Sequence, residues 1–204
     1  PDRWRVTGRL LPVLVLNRQE EYVLDRLETI PVDDVTRWRL GVETLGFVGG
    51  ERAFRLLGRL MRSPHAEIAG AAVESVVNRW SQSRNLPETH EAYFEAFSGA
   101  LREGEPAATY EAAEALTDSA FVARGSGSLL VAVYRALPDS VGATPRAVFL
   151  EALGSTGEPS AEAVLREELR HPDLRVRRAA AAALEELLGA PVDVAPASEA
   201  RPAP

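Results

Sequence analysis

Apolar residues recur at helical spacing along nearly the whole chain, and the alternating Val-, Ile- and Thr-rich runs of β-strands are missing, so the pattern predicts an all-α protein. Breakers interrupt it at short intervals, including residues 30–34 (IPVDD), 46–50 (GFVGG), 63–65 (SPH), 85–89 (NLPET), 125–127 (GSG) and 171–173 (HPD). Between breakers the periodicity predicts outer helices near 18–30, 51–62, 88–102, 126–137 and 159–170. Inner helices are predicted near 3–11, 34–45, 66–80, 106–117, 144–153 and 174–188. Asp33, Asp34, Thr144 and Asp173 stand where an inner-helix N-cap is wanted, since a side-chain oxygen there accepts an otherwise orphaned backbone N–H.

The elements repeat. RWRV at residues 3–6 returns as RWRL at 37–40, and at an offset of 108 ETLGFVGG (43–50) falls on EALGSTGE (151–158) without a gap. One apolar anchor closes each inner helix: Leu11, Leu45, Val76, Leu116, Leu153 and Leu184, at spacings of 34, 31, 40, 37 and 31. Repeats of this length mean a stacked array. The expected architecture is a right-handed α-solenoid of about five helical hairpins, forming a single domain over residues 1–189. Trp4 and Trp38 lie seven residues before Leu11 and Leu45, two helical turns, and so share the anchors' buried face. The chain begins directly on an inner helix, which suggests an array extending upstream or an atypical N-terminal cap. Residues 190–204, rich in Pro and Ala without helical period, are expected to be a disordered tail.

The segment HPDLRVRRAAAAALEELLG at 171–189 resembles the short bacterial HEAT-like repeats of the phycobilisome-lyase type: Pro-Asp in the turn, Val-Arg-Arg, an alanine run, and a closing Leu before Gly. TRWRLGVETLGFVGG and RAVFLEALGSTGEPSAEAVLREELR resemble the same pattern, whereas SPHAEIAGAAVESVV lacks both the Asp and the Arg. Tetratricopeptide repeats share the period, but here WRLG has one residue too few for their signature and sits in a second helix. The resemblance implies a HEAT-like solenoid whose concave face binds a protein partner or another domain of a parent chain. It also implies two alternatives: an accessory or lyase-type subunit acting on a chromophore-bearing protein, and a HEAT-like DNA-binding or repair solenoid with Trp38 and Asp34 as its aromatic and acid.

Composition narrows the chemistry. All 23 basic residues are arginine, which removes Schiff-base and Walker-type lysines, and the absence of cysteine removes thiolate nucleophiles and disulfides. A net charge of −7 makes nucleic acid an unlikely partner. The charge is uneven: residues 1–62 carry 11 Arg against 9 acids (+2), residues 63–140 carry 5 against 11 (−6), and residues 141–204 carry 7 against 10 (−3). No run is long enough to span a bilayer, and a cytoplasmic location is expected. His65, His90 and His171 lack metal-helix spacing, so neither metal nor cofactor is expected. Glu20-Glu21, Glu167-Glu168 and Glu185-Glu186 splay around their helices instead of converging, and GSGS at 125–128 reads as a flexible loop between repeats. No catalytic residue is assigned, and a non-enzymatic protein is expected.

Two sets of arginines are candidates for binding. Arg52, Arg55, Arg59 and Arg62 make one cationic stripe along an outer helix, opposite Phe54, Leu57 and Met61. The next outer helix carries Glu88, Glu91 and Glu95, and an inter-repeat ladder between the stripes is the preferred reading over a dock for an acidic partner. On the inner helices Arg37, Arg39, Arg146, Arg175 and Arg178 are expected to face the concave groove, although Arg177 or Arg178 beside Asp173 suggests a structural Asp–Arg ladder.

Overall fold

A computed structural model describes residues 10–31 and 34–194. All regular structure among them is helical. Residues 10–16 form α1, followed by α2 (Glu20–Glu28), α3 (Val35–Leu45), α4 (Gly50–Leu60), α5 (Ala66–Ser83), a 3₁₀ turn (Pro87–Thr89), α6 (His90–Glu103) and α7 (Pro106–Ala115). Then come α8 (Ser119–Val122), α9 (Ser126–Arg135), α10 (Ala143–Ser155), α11 (Ala161–Glu168) and α12 (Leu174–Leu188). The anchors Leu11, Leu45, Val76, Leu116, Leu153 and Leu184 are all fully buried. Trp38 is buried as well, while Trp4 lies outside the described residues, as do Asp33 and most of the expected tail.

The first helix departs from expectation: it continues through Pro12 to residue 16 because Leu11 and Val15, one turn apart, are both buried on the same face. Arg18 then turns the chain with a left-handed φ of 61°. Of the expected caps, Asp34 accepts the Arg37 backbone N–H at 3.0 Å and Asp173 that of Arg175 at 2.8 Å. Thr144 does not cap. It lies inside α10, whose N-cap is Gly142, and its hydroxyl accepts from the Arg175 side chain at 3.2 Å.

The chain divides into two compact units, residues 1–111 and 112–204. In the first, inner helix α3 packs on inner helix α5, and outer helix α4 packs on α5 and α6. Phe54 meets Tyr93 edge-on at 4.8 Å, while Leu57 and Met61 are fully buried beneath the arginine stripe. In the second, α10 lies along α12 and α11 closes against it. The approach is closest at Gly154, where an added Cβ would stand 2.7 Å from the Ala183 Cα, so only glycine fits this helix crossing.

The GSGS segment is no flexible loop. Ser126 opens α9, is fully buried, and its Oγ donates to the Leu116 carbonyl at 2.7 Å. A Cβ on Gly127 would stand 2.5 Å from the Glu158 Cβ, and the Ser128 hydroxyl donates to the Glu158 carboxylate at 2.9 Å. Gly127 and Ser128 thus hold α9 against the 156–160 turn, while Ser126 ties it back to the end of α7.

Candidate functional site

A side chain on a helix tilts toward the N-terminus, so the fourth residue of an inner helix reaches back over the preceding loop. Trp38 holds that place in α3, and its indole N–H donates to the Pro31 carbonyl at 3.0 Å. Arg146 holds it in α10 and donates to the carbonyls of Val141 (3.2 Å) and Pro138 (2.9 Å). Arg177 holds it in α12 and donates to those of His171 (2.8 Å) and Pro172 (2.9 Å). In α7 the Thr109 hydroxyl lies 3.2 Å and 3.1 Å from the carbonyls of Gly104 and Glu105 and donates back to that turn. Pro31, Pro138 and His171 each stand three residues past the end of an outer helix. The carbonyls there belong to the connecting loop, and a half-buried carbonyl in a loop calls for a donor.

This position withdraws Arg146 from the expected groove set, because its guanidinium is buried and committed to the loop. It also lies over the Tyr134 ring, 5.8 Å from the centroid. Burial, reinforced by the Glu168 charge, pushes the Tyr134 phenol well above its ordinary range and keeps it protonated. The anticipated Asp173 ladder to Arg177 or Arg178 is replaced by a local pair, in which Arg175 bonds Asp173 at 3.3 Å. That guanidinium and the Arg175 N–H hold the Asp173 carboxyl below its usual value.

The outer stripe is also spoken for. Arg52 reaches back to α2, bonding Glu21 at 2.8 Å and Asp25 and Glu28 at 2.7 Å each. The Glu28 carboxyl is held below its ordinary value first by that hydrogen bond. Arg55 pairs with Glu51 one turn before it in the same helix, and Arg62 meets Glu103 at 3.4 Å. The ladder thus joins α4 to α2 and, at Glu103, to the end of α6. Arg59 is exposed and adds a favourable charge near Glu28.

On the inner side Arg37 pairs with its own cap Asp34 at 3.2 Å, and Arg39 crosses to Glu67 of α5 at 3.2 Å. Arg178 is exposed on α12. Since Trp38 is 2% exposed and Asp34 caps its helix, neither is open to a nucleic-acid base.

What the inner helices do present is a groove of about 690 Å³ between α3 and α5. Arg39, Glu43 and Phe47 form one wall, and Glu67, Glu74, Ser75, Asn78 and Gln82 form the other. Phe47, 69% exposed, stands at its end. Sequence reasoning followed the arginines and missed this feature, yet a signal was present: Glu43, Glu74, Glu114 and Glu151 each lie two residues before an anchor, and all four are exposed.

Residues 135–201 match the family of HEAT repeats, a stretch that takes in α10, α11 and α12. No curated protein and no solved structure matches the chain. That stretch thus resembles HEAT repeats, and the described residues as a whole have an all-helical build consistent with a HEAT-type helical solenoid. HEAT repeats generally serve as protein-interaction scaffolds. No helix among the described residues is long and apolar enough to cross a membrane.

Proposed function

We propose that this chain is a non-catalytic scaffold that binds a protein partner, or another domain of its parent chain, through its inner-helix face. The observation that carries the reading is the α3–α5 groove, with an exposed phenylalanine at its end and polar side chains along both walls. An exposed aromatic beside polar groups is the composition of a binding hot spot and its rim.

The test is affinity capture with the chain as bait, repeated with Phe47→Ser and with Arg55→Glu on the outer face, each checked by circular dichroism. The expected result is one protein retained by the parent and by Arg55→Glu and lost by folded Phe47→Ser. Equal retention by all three baits moves binding off the inner face. Turnover of a captured protein by the chain would replace the scaffold reading with an enzymatic one.

A further inference from the structure

The α3–α5 groove carries more than an exposed ring. Among the described residues no arginine pairs with Glu43 or Glu74, whereas Arg39 is already engaged by Glu67. Glu43 and Glu74 occupy the same repeat position on adjacent helices, so two like charges line one groove in register. Charges so placed repel, and nothing in the fold uses them: Val42 and Val76 behind them are fully buried and packed. The outer face is the contrast. There Arg52 is surrounded by three carboxylates, and Arg55 and Arg62 each have one. The acids around Arg52 are answered from within the chain, whereas Glu43 and Glu74 in the inner groove are not. In the second unit Glu114 and Glu151 repeat the position, both exposed.

We infer that the α3–α5 groove takes a cationic protein segment, one that sets arginine or lysine side chains against Glu43 and Glu74 and an apolar side chain against Phe47. The inference rests on the scaffold reading and names the chemistry of its partner. Charge complementarity selects the segment. The ring of Phe47 lies where the aliphatic stem of a long basic side chain, or a neighbouring apolar residue, would be desolvated. The amides of Asn78 and Gln82, on the α5 wall, offer donors and acceptors to the peptide backbone running between those side chains.

The experiment uses the full chain and two fluorescein-labelled twelve-residue probes with the repeating pattern Arg-Leu-Arg-Ser or Glu-Leu-Glu-Ser, read by fluorescence anisotropy. The expected result is saturable binding of the arginine probe, weakened about tenfold by Glu43→Gln with Glu74→Gln. Phe47→Ser weakens it too, and added salt reduces it. Glu88→Gln with Glu95→Gln makes the same change in net charge on the outer side and leaves binding as it was. Equal loss from both double variants means general attraction to an acidic protein and overturns the inference. So does binding of the glutamate probe as tight as the arginine one, or failure of the arginine probe to bind. Each of these outcomes concerns the cationic class alone, because the scaffold reading stands or falls on capture of a protein in a Phe47-dependent way.

Discussion

Trp38, Thr109, Arg146 and Arg177 have almost nothing in common except a side-chain donor, and that donor is what their shared place requires. Each sits on the first turn of an inner helix and closes the turn before it against loop carbonyls. Removing the donor costs those carbonyls a hydrogen bond, although Pro31 and Pro138 each keep one from the backbone N–H of Asp34 and Val141, and truncation adds a cavity. Arg177→Ala is therefore expected to lower unfolding free energy by about 2–4 kcal/mol, and Trp38→Phe, which keeps most of the packing, by about 1–2 kcal/mol. Arg178→Ala, one residue along and exposed, should stay within about 0.5 kcal/mol of the parent. Urea denaturation of the three variants checks the ranking. An effect of Arg178→Ala as large as that of Arg177→Ala would show that the two arginines had been assigned the wrong way round.

Between elements, charge holds α2 to α4 through Arg52. Glu28 has a folded value below its ordinary 4.5, so this contribution is fully present above about pH 4.5 and is lost as pH falls through the lowered value. Glu158 and Asp173 are shifted the same way by their own partners, so acid sensitivity is spread over several joints. The Arg52 share is isolated by difference: the melting temperature of Arg52→Gln should lie below that of the parent at pH 7, and the gap should narrow as pH drops from 5 to 3. A gap independent of pH would mean that Arg52 acts by packing its stem. The expected pairing of α4 with Glu88, Glu91 and Glu95 followed the order of helices along the chain. The Arg52 side chain reaches three acids on the helix before.

The whole molecule consists of two compact units, and its tryptophans are unevenly shared: all three lie in residues 1–111. Tryptophan fluorescence therefore follows the first unit, while far-ultraviolet circular dichroism follows the helices of both. Leu153 is fully buried in the second, and Leu153→Asp places an unpaired charge there, a cost of more than about 4 kcal/mol. The expected outcome is loss of helical signal at a lower denaturant concentration, with the fluorescence midpoint little changed. Coincident early transitions by both probes would mean that the two units unfold as one. An unaltered protein would refute the register that places Leu153 in the core.

Hydrophobic spacing by itself determined the helical build, the near-35-residue repeat and all six anchors from Leu11 to Leu184, because burial of an apolar face leaves a periodic mark on a linear chain. Part of the interior polar chemistry was written there too. The repeat that sets Trp4 and Trp38 seven residues before an anchor also sets Arg146 and Arg177 there, but a pattern of polarity reads arginine as outward and tryptophan as inward. Only the tertiary structure decided that both point at loop carbonyls, because the acceptors belong to backbone that every residue type shares. It alone decided which acids Arg52 gathers, and that Glu43, Glu74 and Phe47 meet around one groove. Those arrangements depend on distances between helices, and a one-dimensional period carries no information about which of several nearby charges a side chain reaches.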